Sequence, residues 1–255
     1  MSWNPALYRR FEDERTRPAE DLLARVVLER AKSVVDLGCG PGNSTELLVE
    51  RFSDAKITGT DTSQAMLESA RKRLPQCHFE LSDVSSWHAE DAPDLIFANA
   101  VLQWVPNHQK LLPRLVSALA PGGVLAVQMP DNLDEPTHRS MREVANSGPW
   151  ASALTGAARP GLPPAEVYYD LLAEGCASID IWRTTYHHPM NSAADIVAWV
   201  RATGLRPFLD PLSEQQRTAF LAEYERRIDA AYPVRAGGKR LLAFPRLFIV
   251  ARRQP

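Results

Sequence analysis

Residues 34–43 read Val-Val-Asp-Leu-Gly-Cys-Gly-Pro-Gly-Asn, and no other stretch narrows the possible folds so far. An apolar run ends at Asp36 and passes into glycines at alternate positions, Gly38, Gly40 and Gly42, before a helix-like stretch over 44–52. Glycine tolerates positive φ and lacks the Cβ that would hold a ligand away from the backbone. A buried strand that feeds such a loop and then a helix is the opening unit of an open α/β sheet, whose ligands sit at the carboxyl ends of the strands.

The loop is not spaced for a dinucleotide. That site uses G-x-G-x-x-G/A, with a small third residue that lets helix pack on strand. Here Asn43 stands at the third place and the extra glycine is Gly42. A second acid follows at the end of a short strand over 57–60: Asp61, nineteen positions after Gly42.

Alternation continues to residue 129. Strands are expected over 34–37, 57–60, 79–81, 94–99 and 124–129. Between them Ser63 reads as a helix cap, and Leu111, Leu112, Leu115, Val116 and Leu119 form a helical stripe that Pro121-Gly122-Gly123 stops. Alternating βα units predict a parallel sheet with helices on both faces. After 130 the pattern loosens. Helical pieces are expected over 137–145 and 164–174, strands over 179–187 and 244–251, and helices after Ser192 and Ser213. Gln216 makes a capping box with Ser213. The expectation is a single domain over 1–255, with a core of about 30–130 and 179–255. Residues 1–29 and an insertion of about 130–178 would serve as lid or substrate elements.

Bulk properties exclude several functions. The 255 residues are 45% hydrophobic and 24% charged, with a formal net charge of −2. A nucleic-acid partner would call for clustered Lys and Arg, and no long basic run is present. Cys39, Cys77 and Cys176 are too scattered for a disulfide framework or a metal site. No apolar run is long enough to cross a bilayer, and the first residues lack a signal-peptide core. The chain reads as soluble and cytoplasmic, with no metal, no membrane and no obligate protein partner expected.

The glycine spacing, with Asp36 before it and Asp61 after it, resembles motif I of the class I S-adenosylmethionine-dependent methyltransferases. Leu119-Ala120-Pro121-Gly122-Gly123 resembles that family's turn before strand five. The resemblance implies a three-layer α/β sandwich with a seven-stranded, mostly parallel, Rossmann-like sheet whose last strand is antiparallel. It implies S-adenosyl-L-methionine as cofactor. Asp36, Gly38, Gly40 and Gly42 would lie at its amino acid part, Asp61 and Thr62 at the ribose, Asp83 and Val84 at the adenine, and Asn99 and Ala100 at the methionine moiety. Trp3-Asn4-Pro5-x-x-Tyr8, Gln103-Trp104 and the run Phe244-Pro245-Arg246-Leu247-Phe248-Ile249-Val250-Ala251 are similar to a branch of the family that esterifies a small tricarboxylic acid, trans-aconitate. The other acceptors weighed are another small acid and an acyl group on a carrier protein. A SAM-binding regulator without activity is the reading from outside enzymology.

A carboxylate acceptor is ionised near neutral pH, with a reference pKa of about 4, and needs no general base. No acid or base is therefore assigned, and Trp104, Tyr8 and Asn4 are positioning candidates. A tricarboxylate needs cations, and the planar arginine fork matches carboxylates best. The substrate-binding candidates are Trp3, Trp104, Arg183, Tyr186, Arg201, Arg206 and Lys239. The last lies in Gly237-Gly238-Lys239-Arg240, where the branch would lead one to expect an Asp-Gly-Arg-like turn.

Overall fold

A computed structural model describes residues 12–201 and 203–255, with side chains from Thr16 onward. Trp3, Asn4 and Tyr8 lie outside the described residues. The chain divides into two compact units. The larger contains Asp13–Pro130, Leu162–Thr184 and Leu247–Pro255; the smaller contains Asp131–Gly161 and Thr185–Arg246.

The larger unit opens with helix α1 (Glu12–Ala24) and then alternates: β1 (Ser33–Leu37), α2 (Asn43–Arg51), β2 (Lys56–Asp61), α3 (Gln64–Arg73), β3 (His78–Leu81), β4 (Leu95–Asn99), α4 (His108–Ala118) and β5 (Val124–Pro130). Helix α6 (Ala165–Ala173) precedes the long strands β6 (Cys176–Met190) and β7 (Arg240–Arg253). The seven strands lie in the order β3-β2-β1-β4-β5-β7-β6. Strands β1 to β5 pair in parallel. The last strand runs the other way, because Arg253 N donates to Gly123 O at 2.8 Å while Asp131 N donates to Pro245 O at 3.0 Å. Rising numbers on one strand meet falling numbers on the other. This is the seven-stranded Rossmann-like sheet that the resemblance implied.

The sheet's central strands are covered on both faces, so their sequences are continuous apolar runs. Leu95, Ile96, Phe97 and Ala98 are 0% exposed, as are Val124, Leu125, Ala126 and Val127. Strand order reverses between β1 and β4, which opens a crevice at their carboxyl ends. Helix α1 was not expected. Ala19, Leu22 and Val26 are buried, and Arg51 donates to the carbonyls of Leu23 and Val26 at 2.9 and 2.7 Å. At least this part of 1–29 is therefore structural rather than a lid.

The smaller unit is built from α5 (Pro136–Ser147), α7 (Ala193–Arg201), α8 (Arg206–Leu209) and α9 (Glu214–Ala231). Its core gathers Met141, Val144, Trp150, Ile196, Trp199, Phe208, Phe220, Tyr224 and Ile228. The Trp150 ring packs tilted against Phe220, with centroids 5.3 Å apart, and donates Nε1–H to Val144 O at 2.8 Å. The capping box is present: Ser213 Oγ accepts from Gln216 N at 3.3 Å, and Gln216 Oε1 accepts from Ser213 N at 3.0 Å. The partition differs from the expected one. Residues 162–184 go with the sheet because Tyr168 and Leu172 bury against it, and His108 Nδ1 pairs with Tyr168 Oη at 2.7 Å. Residues 185–246 go with α5 because α7 to α9 have a core of their own.

Candidate functional site

The glycine loop lies at the head of the crevice. Gly38, Gly40 and Gly42 all have positive φ (+68°, +55° and +95°), so the alternate glycines are dictated by the backbone. A Cβ on Gly38 would stand 2.4 Å from the Val101 side chain, so this loop is packed against the segment that leaves β4. Among the described residues a Cβ on Gly40 would meet nothing within 4 Å. The backbone there faces open space.

Two acids brace this loop differently. Asp36 is 0% exposed, and its Oδ2 accepts from Ser44 Oγ and Thr45 Oγ1, both at 2.7 Å. Burial raises its pKa from 3.8 to about 7, against the two hydroxyl bonds that lower it. Asp36, expected at the amino acid part of a ligand, is instead closed inside the protein and holds the start of α2, so it positions the loop. Asp61 is half-buried at the end of β2. Its Oδ2 accepts from Gly40 N at 3.0 Å and its Oδ1 from Ser63 N at 2.8 Å. Each carboxylate oxygen accepts more than one bond, so capacity remains for a ligand hydroxyl. Thr62 beside it is exposed.

Asp83 is exposed after β3, and its Oδ1 accepts from Ser85 N at 2.7 Å. Hydrogen bonding from the Ser85 side chain, the largest cause, and then this backbone bond hold its carboxyl below the usual range. Val84 is buried, and its carbonyl accepts from Arg114 Nη2 at 2.8 Å. Trp87 belongs to the core of this unit.

At the end of β4, Ala100 takes φ +56° without being glycine. Its N–H donates to Gln128 O at 2.9 Å, and its carbonyl accepts from Gln103 Nε2 at 2.6 Å. Asn99 Oδ1 and Gln103 Oε1 are buried without a donor among the described residues. Buried acceptors left unmet are costly, and each calls for a group to meet it. Gln103 was read only as part of a dipeptide; its amide is needed here, and the sequence signal was its place next to Trp104. Trp104 itself is 47% exposed.

The remaining candidates are scattered through the two units. In the larger, Arg183 is exposed beside Trp182, which stacks on Phe248 at 4.8 Å. In the smaller, Tyr186 is buried and stacks with His188, and Arg201 is exposed on α7. Arg206 pairs with Asp210 at 3.8 Å, and Lys239 Nζ donates to Asn191 Oδ1. Most of the scattered basic side chains of 226–240 are answered from within. Arg226 and Arg227 pair with Glu223, and Arg240 pairs with Asp229. This gives no support to a carrier-protein docking face there. Among the described residues no three His, Cys, Asp or Glu side chains group to hold a metal ion, and no helix is long and apolar enough to cross a membrane.

Comparison with known proteins extends this geometry. A family model described as a methyltransferase domain matches residues 34–123. The chain is 64% identical to a trans-aconitate 2-methyltransferase of Variovorax paradoxus (strain S110), across 100% of this chain and 99% of that one. It is 59% identical to one of Yersinia pseudotuberculosis (serotype O:1b, strain IP 31758), across 100% and 99%. Among solved structures, the YcgJ protein of Bacillus subtilis superposes with a TM-score of 0.62 at 12% identity, covering 94% of this chain and 99% of that one. A Haemonchus contortus phosphoethanolamine N-methyltransferase 2, in complex with S-adenosylhomocysteine, superposes at 0.56 and 17%, covering 94% and 53%. At those identities the solved structures speak for the fold alone.

Proposed function

The chain belongs to the trans-aconitate 2-methyltransferases, and on that footing we propose that it transfers a methyl group from S-adenosyl-L-methionine to a carboxylate of trans-aconitate. The products are the monomethyl ester and S-adenosyl-L-homocysteine. The observation that carries this reading is identity of 58–65% to curated relatives, running from end to end of the chain.

The residues at the crevice fit the cofactor. Gly40 leaves backbone open where a Cβ would stand, and Asn99 Oδ1 and Gln103 Oε1 are buried acceptors that the cofactor's ammonium would satisfy. Gly38, Gly40 and Gly42 would hold its amino acid part, Asp61 and Thr62 its ribose, Asp83 and Val84 its adenine, and Asn99 with Ala100 its methionine moiety. When bound, the cofactor supplies a methyl group already activated on a sulfonium. The protein's share is alignment and the exclusion of water. The acceptor carboxylate arrives ionised, so no residue need take a proton. Trp104, exposed just past β4, is the positioning residue we assign to the acceptor. Arg183, Tyr186, Arg201, Arg206 and Lys239 remain acceptor-binding proposals.

The test is methyl transfer from labelled S-adenosyl-L-methionine to trans-aconitate, cis-aconitate, citrate and isocitrate, followed by alkali. Strong, base-labile labelling of trans-aconitate is expected. Tight cofactor binding with no labelled acid in the panel would overturn the substrate assignment.

A further inference from the structure

The loop after β3 is held by a side chain from another element. Its residues, Asp83 to Trp87, lie outside any strand or helix. Two of them turn inward: Val84 is 4% exposed and Trp87 7%. Both join a core that includes Leu111, Leu112 and Leu115 of α4. The same helix sends Arg114 to the loop's backbone. Arg114 Nη2 donates to Val84 O at 2.8 Å and to Ser85 O at 3.1 Å, and its Nη1 donates to Trp87 O. One guanidinium thus meets three carbonyls of one short loop. That spread suits a wide planar fork better than the compact ammonium of a lysine.

The loop's other end is tied to β2. Ser82 N donates to Asp61 O at 3.1 Å, where Asp61 pairs in register with Leu81. Inside the loop, Ser86 N donates to Asp83 O at 3.0 Å and Ser85 N to Asp83 Oδ1 at 2.7 Å. Ser85 is the join. Its N–H orients the Asp83 carboxylate, and its carbonyl answers to Arg114. The exposed carboxylate of Asp83 is therefore aimed by the backbone that Arg114 grips.

We propose that Arg114 is a positioning residue that sets the cofactor's selectivity for its base. It acts through the loop, by fixing where Asp83 presents an acceptor to the exocyclic amino group. This rests on reading Asp83 as the adenine end of the site. Adenine offers an amino donor at that place. Hypoxanthine offers an oxo acceptor there and carries its N–H one ring atom away, so a fixed carboxylate rejects it and a loosened one can follow the N–H. Nothing in the sequence marks Arg114, which stands thirty positions from Val84.

Calorimetric titration of the full chain tests it, with S-adenosyl-L-homocysteine and its inosine analogue as the two ligands. The wild type is expected to prefer the adenine form about 10- to 100-fold, the worth of one hydrogen bond to a charged group. Asp83→Ala should erase that preference. Arg114→Gln should cut it about tenfold, and Arg114→Lys about threefold, because an ammonium holds fewer of the three carbonyls. An arginine that merely supports the fold weakens both ligands alike, so an unchanged ratio in Arg114→Gln overturns the inference. If Arg114→Gln does not fold, an unchanged ratio in Arg114→Lys overturns it instead. A wild type that binds both ligands equally, or an Asp83→Ala that keeps the wild-type ratio, overturns the adenine reading of Asp83 and the inference with it. None of these outcomes bears on the acceptor, which methyl transfer to the acid panel decides separately.

Discussion

Among the described residues the larger unit buries an acid and a histidine, Asp36 and His108, whereas the smaller buries only bases, and the two do so by different means. The larger unit admits one buried acid, Asp36, into a sheet of otherwise apolar strands, and spends it on two hydroxyls at the head of a helix. The smaller unit packs aromatic rings around bases: His138, His188 and Arg246 are all at least nine-tenths buried. The glycine loop is therefore shaped by backbone, through glycine dihedral angles and an amide tied to Asp61. The interior of the smaller unit is shaped by side chains brought together from distant segments. A backbone surface suits a ligand that never changes, and a side-chain surface can be altered one residue at a time.

The strongest way to break this contrast is Gly38→Ala. Its Cβ would stand 2.4 Å from Val101 at a φ that alanine avoids, so the loop must move. Affinity for S-adenosyl-L-methionine is expected to fall about 100-fold or more by calorimetry, as displacements of an ångström do. Gly40→Ala meets no atom of the described residues within 4 Å. It should cost only about 1–2 kcal/mol in backbone strain, yet still weaken the cofactor. Retained affinity in Gly38→Ala would show that the backbone does not shape the site.

On the other side, Trp150→Ala removes a fully packed ring and its bond to Val144. About 3–5 kcal/mol of stability should go in denaturant unfolding, with amide protection falling in α5 and α9.

The pH dependence sharpens the comparison. Native Asp36 keeps its proton up to about pH 7, whereas in the unfolded chain it ionises near 3.8. Its contribution to stability is thus complete below 3.8 and lost as pH rises to 7. His138 behaves in reverse: unfolded it takes a proton below 6.5, and native it resists down to about 3. Its contribution is complete above 6.5 and lost as pH falls. Over the shared window the two slopes oppose each other. Asp36→Asn should leave stability rising with pH by up to about 1.4 kcal/mol per unit, and His138→Gln should leave it falling. Unfolding at pH 4.5, 5.5 and 6.5 measures both, and parallel curves for the two variants would remove the contrast.

The smallest effect is at a cap. Ser213→Ala removes the hydroxyl half of the box on α9, leaves the bond from Ser213 N to Gln216 Oε1 in place, and should cost about 1 kcal/mol. Gln216→Ala removes the other half and should cost less. Equal costs, measured by thermal unfolding, would show that the two halves contribute alike.

What could be read in the sequence follows the same line. Strands β1 to β5, the caps Ser63, Ser192 and Ser213, and the glycine loop were legible because each depends on residues within a few positions. Ser192 Oγ does accept from Asp195 N, at 3.1 Å. Helix α1 was missed because charged residues crowd its first half. The inward role of Asp36 was hidden because its hydroxyl partners lie eight and nine positions away, and nothing local distinguishes a braced acid from an exposed one. The full length of β6 and β7 escaped because their ends alternate poorly, as the many half-buried residues of β6 record. Arg159 and Asn132 meet across twenty-seven positions without a motif to mark them.

The last consequence concerns heredity. Two boundaries between the units, Thr184–Thr185 and Arg246–Leu247, fall inside unbroken strands rather than in linkers. A recombination event at either point would splice mid-strand and shift the alternation of every residue beyond it unless the register were kept. Exchange of whole blocks is thereby limited to cuts that keep strand register. Point substitution carries no such constraint, and related enzymes that prefer other acids should differ mainly by scattered single residues rather than by exchanged blocks.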